Sequence, residues 1–306
     1  MTTLAYFEGK IVPIDQAKLS IRAHVVNYGT GVFEGIRAYW NADHEQLYVF
    51  RLQEHYQRLV QGARVLRMQL SLDAAQMSDL TLELLRREGF RTDVYIRPLA
   101  YKANEIIGVR LHNLRDEFCV WCVPFGKYIE KQDGAKVCIS SWRRNDDNAI
   151  PPRGKVAGAY VNSALIKTDA QLNGFDEAIV LNADGHVSEG SAENFFMLRG
   201  GKLITPPVTA NILEGITRQT VMLLAKEELG LETVEREIDR TELYMADEAF
   251  FCGTGVEITP IGSIDHLPLG GGGVGPITRR VRDLYFGVVC GDVEKYRHWC
   301  APAYRK

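Results

Sequence analysis

PPRGKVAGAYVNSAL, residues 151–165, sets a lysine among small residues where a helical pattern is about to start. Lysine by default sits on a solvated face with its ammonium in water. Here Gly154, Ala157, Gly158 and Ala159 surround Lys155 and leave space, as though another group must fit there. Over 158–174 the chain then turns amphipathic. Val161, Ala164, Leu165 and Leu172 fall on one helical face, and Gly174 supplies a stop.

Working outward, the bulk properties narrow the class. At 306 residues the chain is long for one core, which favours two domains. Its 46% apolar and 25% charged residues are those of a globular protein. A net charge of −3 argues against nucleic acid as the main partner, since phosphate binding needs a basic surface. No apolar run reaches the length of a membrane span. MTTLAYFEGK lacks the basic and apolar segments of a secretory signal, so the cytoplasm is the expected location.

Six cysteines are scattered along the chain, and Cys119 and Cys122 form a CxxC within FCVWCVPF. Residues three apart on a strand point to opposite faces, and no second CxxC completes a zinc site. We read them as packing residues and expect no metal.

In the first part, RLQEHYQRLVQGARVLRM places Leu52, Tyr56, Leu59, Ala63 and Leu66 on one helical stripe. DVYIRPLAYKA and EFCVWCVPF follow as strands, and GKYIEKQDGAK, polar with a glycine near each end, reads as a linker. The expected division is a small α/β domain over 1–125, a linker over 126–135 and a larger domain over 136–306. Within the latter, EAIVLNADGHVSEGSAENFFMLRGGKLIT is a strand meander with turns at ADG and RGG. GITRQTVMLLAKEELG is a helix with a bare start. GGGG at 270–273 does not follow the strand–GxGxxG–helix pattern of a dinucleotide site.

Four further stretches look unsuited to plain folding. In LEGITRQ, Leu213, Gly215, Ile216 and Thr217 open a helix whose N–H groups can cradle an anion; a glycine that merely fits a turn is the plainer account. The dipole there contributes only about 0.3–1 kcal/mol, so a cation should assist a phosphate. FFCGTGVEITP runs a strand into Gly253-Thr254-Gly255, either a close-approach site or a simple turn. VSEGSAENFF puts Glu189 at a strand end, able to keep a ring nitrogen protonated or merely a solvated turn acid. In VYIRPLAY, Tyr95, Arg97, Leu99 and Tyr101 share a face, suiting either carboxylate recognition by a planar fork or a structural salt bridge.

Together these are the parts of a pyridoxal-phosphate site: a lysine for the aldehyde, an acid for the pyridine nitrogen, a helix start for the phosphate. NYGTGVFEGIRAY at 27–39, YIRPL, GKVAGAYVNS, VSEGSAENFF, LEGITRQ and ADEAFFCGTGVEITP follow in one order. With them the chain resembles the branched-chain amino-acid aminotransferases of the fold-type IV pyridoxal-phosphate class. That resemblance implies a two-domain α/β (α+β) fold, a small α/β domain plus a larger pseudo-barrel domain carrying the lysine. It implies pyridoxal 5'-phosphate as cofactor, small amino and oxo acids as ligands, and a homodimer or assembly of dimers. The implied reaction moves the amino group of leucine, isoleucine or valine to 2-oxoglutarate.

Carried over by position, Lys155 is the Schiff-base lysine, Tyr160 bonds the cofactor phenolate oxygen, and Glu189 pairs with the pyridinium nitrogen. Arg58 is the phosphate cation, joined by the Leu213–Thr217 helix start, with Gly215 and Ile216 in it, and by Thr254. Phe33, Tyr95, Tyr128 and Tyr160 surround the substrate, and Arg97 takes the second carboxylate of glutamate. Thr254 and Gly255 face the α-carboxylate, and Tyr28 reaches in from a neighbouring subunit. Two departures touch donor choice. The loop IIGVRLHNL brings Arg110 and His112 near the entrance, and Gly255 stands where alanine is common. A D-amino-acid aminotransferase, an amine transaminase or an aminodeoxychorismate lyase would use the same lysine and acid.

Overall fold

VYIRPLAYK forms a nine-residue strand, Val94–Lys102, in which buried and half-buried residues alternate up to Ala100. A computed structural model describes residues 3–126, 134–271 and 273–304. Its first strands are β1 (Leu4–Phe7), β2 (Lys10–Pro13), β3 (Gly31–Phe33), β4 (Ile36–Asn41), β5 (Gln46–Phe50), β6 (Val94–Lys102) and β7 (Asp116–Pro124). There follow β8 (Ala135–Arg143), β9 (Glu177–Leu181), β10 (Val187–Gly190), β11 (Asn194–Arg199), β12 (Lys202–Thr205) and β13 (Thr233–Glu235). The last are β14 (Glu248–Gly253), β15 (Glu257–Ile264), β16 (Leu267–Pro268) and β17 (Cys300–Pro302). The helices are α1 (His24–Tyr28), α2 (Leu52–Val65), α3 (Ala74–Glu88), α4 (Tyr160–Leu172), α5 (Ile216–Leu229) and α6 (Pro276–Val289).

The chain divides into two compact units. The first contains Met1–Gly126, Gly154–Gly158 and Gly287–Lys306, and the second Lys127–Arg153 and Ala159–Phe286. The span 136–306, expected as one continuous domain, thus gives up Gly154–Gly158 from its interior and Gly287–Lys306 from its end, and the lysine segment packs with the first unit. Most of the expected linker, and Tyr128 with it, lies outside the described residues.

In the first unit an antiparallel sheet runs in the order β17-β5-β4-β6-β7-β1-β2, with β3 also paired to β6. The α2 stripe buries Leu52, Tyr56, Leu59 and Ala63 as its spacing predicts. A capping box starts α3: Asp73 accepts from the Gln76 N–H and Gln76 accepts from the Asp73 N–H. Cys119 and Cys122 lie on β7 opposite Leu99 and Ile96 as free thiols. Burial pushes Cys119 up to about 12 and raises Cys122 as well, which leaves little thiolate for redox or metal chemistry.

In the second unit the order is β10-β9-β8-β15-β14-β11-β12-β13, with β16 on β15. β8 runs parallel to β9 and to β15; most other pairs are antiparallel. β10 is an edge strand, whereas β11, only three residues further along the chain, sits deep in the order. The Gly190 N–H nevertheless donates to the Glu193 carbonyl at 2.7 Å. A sheet whose distant members stay joined by so short a link must curl, so the meander closes into a barrel-like half-cylinder. Phe195, Met197, Phe251, Ile261 and Val187 fill its interior.

The α4 face is the reverse of the one expected. Ser163, Ile166 and Ala170 are buried, while Val161, Leu165 and Leu172 are 65%, 42% and 82% exposed. The apolar stripe exists, but nothing among the described residues covers it. No helix among the described residues is long and apolar enough to cross a membrane.

Candidate active site

In the first unit, the lysine segment is pinned by close backbone contacts. A Cβ at Gly62 of α2 would lie 2.8 Å from the Gly154 carbonyl oxygen, and one at Gly29 would lie 2.7 Å from the Gly158 Cα. Val156 bridges Val32, the Phe33 N–H donates to the Lys155 carbonyl at 3.3 Å, and the Gly158 N–H donates to the Gly29 carbonyl at 3.1 Å. Gly154 and Gly158 therefore serve backbone approach and do not hold open room, which corrects the reading of the small residues as free space. Between these anchors Lys155 has φ +38°, a left-handed conformation costing a non-glycine residue about 1–3 kcal/mol. Its half-buried side chain puts Nζ 5.1 Å from the centroid of the Phe33 ring.

The face of β6 that carries Tyr95 and Arg97 meets that same ring. The Arg97 Cζ lies 4.4 Å from the Phe33 centroid, and its Nη2 donates to the Tyr95 hydroxyl at 2.8 Å. Its Nε is buried with no hydrogen-bond partner among the described residues. Tyr95 reaches this place because residue 35 is glycine: a Cβ there would stand 2.4 Å from the tyrosine oxygen. Tyr28 ends α1 and accepts from the Gly108 N–H at 3.1 Å, tying down the loop whose Arg110 and His112 are exposed.

Beside Phe33, Glu34 is almost wholly buried. Arg58 donates to it through Nε and Nη2, each at 2.7 Å, and His55 through Nδ1 at 2.8 Å. Burial alone would push the Glu34 carboxyl up, but the Arg58 guanidinium and these hydrogen bonds reverse that and hold it well below the usual carboxylate range. Burial likewise lowers the His55 imidazole, against the pull of Glu34, so the ring is neutral at neutral pH.

In the second unit, Glu189 is the next-to-last residue of β10 and lies under a canopy of donors. Arg144 pairs with one carboxylate oxygen, Asn194 Nδ2 donates to the other at 2.8 Å, and the Leu213 N–H approaches at 3.3 Å. Glu193, buried nearby, is pushed up to about 8 by burial and by the charges of Glu177 and Glu189. That leaves Glu189 as the carboxylate with the cationic partner. Asn194 also donates to the Leu213 carbonyl at 2.9 Å and presses on Gly215, where a Cβ would fall 1.9 Å from its Oδ1.

Gly215 is the N-cap of α5 and no side chain caps it, so the Ile216 and Thr217 end of the helix keeps its anion-binding character. Thr254 and Gly255 form the turn between β14 and β15, where Gly253 pairs with Glu257, and a Cβ on Gly255 would meet nothing within 4 Å. Tyr160 is half-buried at the first position of α4.

Residues 31–264 match the amino-transferase class IV family. The chain is a class IV aminotransferase. A probable branched-chain-amino-acid aminotransferase of Aquifex aeolicus is 50% identical to it over 99% of this chain and 97% of the relative. The crystal structure of a branched-chain aminotransferase from Thermoproteus uzoniensis with norvaline superposes with a TM-score of 0.95, at 43% identity, over 99% of this chain and 100% of that one. A holo-form structure from Thermobaculum terrenum, a branched-chain amino acid aminotransferase in its PLP form, gives 0.94 at 42% identity, with 99% of each chain covered.

Among the residues expected in the site of this class IV aminotransferase, the first unit gathers Phe33, Arg58, Tyr95, Arg97 and Lys155. The second gathers Glu189, Leu213, Gly215, Ile216 and Thr217. Four neighbours had no expected role: Arg144 and Asn194 on Glu189, Glu34 and His55 on Arg58. His55 had a local signal, since it lies one helical turn before Arg58 on α2, whereas Glu34 lies 24 residues from Arg58. Arg144 had none, because its link to Glu189 spans 45 residues.

Proposed function

We propose that this aminotransferase moves the amino group of L-leucine, L-isoleucine or L-valine to 2-oxoglutarate, giving branched 2-oxo acids and L-glutamate, with pyridoxal 5'-phosphate as cofactor. The observation that carries this reading is Arg97, stacked on Phe33 and bonded to Tyr95. A cation laid into an aromatic wall lets one pocket serve two ligands. Phe33 and Tyr95 suit a branched apolar side chain, and the unpartnered Nε of Arg97 suits the second carboxylate of glutamate.

The residues present fit the cofactor. In the first unit Arg58 would offer a phosphate a cation; in the second, the uncapped α5 start at Gly215, Ile216 and Thr217 would offer N–H groups, and Thr254 a hydroxyl. Glu189, which accepts from Arg144, the Asn194 amide and the Leu213 N–H, suits a protonated ring nitrogen. Tyr160 would donate to the phenolate oxygen, and Leu213 packs at the same helix start.

When bound, the cofactor supplies an electron sink for charge released at the substrate Cα. The protein supplies the rest. The Lys155 amine would hold the cofactor aldehyde and, as a free amine, would take the proton from the substrate Cα. Thr254 and Gly255 orient the α-carboxylate.

We also propose a cytoplasmic homodimer. Ile21, Val26, Ile107 and Val109 of the first unit are exposed, Ile107 at 97%. The Val161, Leu165 and Leu172 stripe of the second is exposed too, and each such side chain would gain roughly 1.5–3 kcal/mol on burial. A second copy covering these faces would bring its own Tyr28 and 104–112 loop to the site. Six free thiols fit a reducing compartment.

Steady-state assays with leucine, D-alanine and (R)-1-phenylethylamine as donors test the reading, with leucine expected to be the best substrate. Arg97→Ala should lower kcat/KM for 2-oxoglutarate and glutamate by about 100-fold, the worth of a charged hydrogen-bonded contact. Leucine should lose less than about 5-fold. Equal losses for both substrates would remove Arg97 from its role.

A further inference from the structure

Arg58 presents only part of its guanidinium to any ligand. Of its five N–H donors, two are taken by Glu34. The carboxylate is itself fixed: it is 1% exposed, the Glu34 N–H donates to the Pro98 carbonyl at 3.0 Å, and His55 donates to its Oε2. Two effects then oppose each other. The negative charge of Glu34 offsets the positive charge of Arg58, which weakens attraction for an anion. The bidentate clamp also orders a long, rotamer-rich side chain before any ligand arrives, which strengthens it.

Burial decides between them. Where charges are buried, an arginine without a counter-ion is costly, and an unordered fork loses hydrogen bonds that a phosphate needs in fixed directions. His55 is neutral and adds no charge of its own, so its place in the network is that of a donor that locks the carboxylate.

We propose that Glu34 and His55 are positioning residues for Arg58: they orient its guanidinium so that the site selects the phosphorylated form of the cofactor. This rests on the reading of Arg58 as the phosphate anchor given above. Neither residue touches the cofactor in this proposal; both act through the arginine.

The test is a titration of the cofactor-depleted full-length protein with pyridoxal 5'-phosphate and, separately, with pyridoxal, followed by absorbance. Glu34→Gln keeps the size of the side chain but turns an amide N–H₂ toward donors. It should weaken the phosphorylated form by about 10-fold or more, as for loss of a charged hydrogen bond, while pyridoxal changes by less than about 2-fold. In an Arg58→Lys background the same Glu34→Gln change should cost the phosphorylated form less than about 2-fold, because the group it positions is gone.

Should Glu34→Gln fail to fold, His55→Leu reports instead, with a phosphate-selective loss of about 3-fold that His55→Asn, which retains an N–H donor, restores. Equal losses for both cofactor forms, an unchanged loss in the Arg58→Lys background, or tighter phosphate binding in Glu34→Gln each overturn the positioning role. Wild-type protein that binds neither form overturns the cofactor assignment itself.

Discussion

Replacing Lys155 by alanine abolishes transamination: kcat for leucine falls by about 10,000-fold or more, the upper range for a positioned general base, and no other group takes over the proton. The expectation follows from how the residue is held. Four backbone anchors, at Gly29, Val32, Phe33 and Gly62, fix the segment on either side of a left-handed lysine. Cofactor binding should persist, weakened but measurable, because Arg58 and the α5 start are untouched. The measurement is single-turnover kinetics together with a cofactor titration. Wild-type rates in Lys155→Ala would take the lysine out of the chemistry, whatever its backbone strain.

Glu189→Gln is the second large effect. The carboxylate accepts from three donors: Arg144, the Asn194 amide and the Leu213 N–H. Glutamine meets them with an amide nitrogen on one side and cannot keep a ring nitrogen protonated. Loss of one such electrostatic partner costs about 100- to 1,000-fold in kcat. Cofactor affinity should fall by less than about 10-fold, since the residues proposed for the phosphate are other ones. The distinguishing readout is the isotope effect with substrate deuterated at Cα, which should rise as proton transfer becomes slower than the other steps. A rate within about 3-fold of wild type, or an isotope effect that does not move, would count against the pairing.

How much of this was legible in the sequence depends on how local each cause is. The α2 stripe, the alternating face of β6 and the ADG and RGG turns rest on neighbours a few residues away, and they fold as their patterns predict. The motif order pointed to the class IV family before any geometry was known. The glycines around Lys155 were misread because their partners, Gly29 and Gly62, lie about a hundred residues distant, and spacing alone says nothing of close approach. The span 136–306 hid two segments that pack with the first unit for the same reason.

The α4 face failed differently. An apolar stripe implies that something covers it, not that the same chain does. Arg144 shows the limit most plainly. It belongs to a loop after β8, with no periodicity or capping pattern to mark it, and only the fold sets it against Glu189.

The central claim is a covalent link between the Lys155 amine and the cofactor aldehyde. Purified wild-type protein is incubated with pyridoxal 5'-phosphate, reduced with borohydride, digested and mapped by mass spectrometry. The account predicts visible absorbance that reduction bleaches and a phosphopyridoxyl group on the peptide containing Lys155. A colourless protein, or label only on surface lysines, contradicts it.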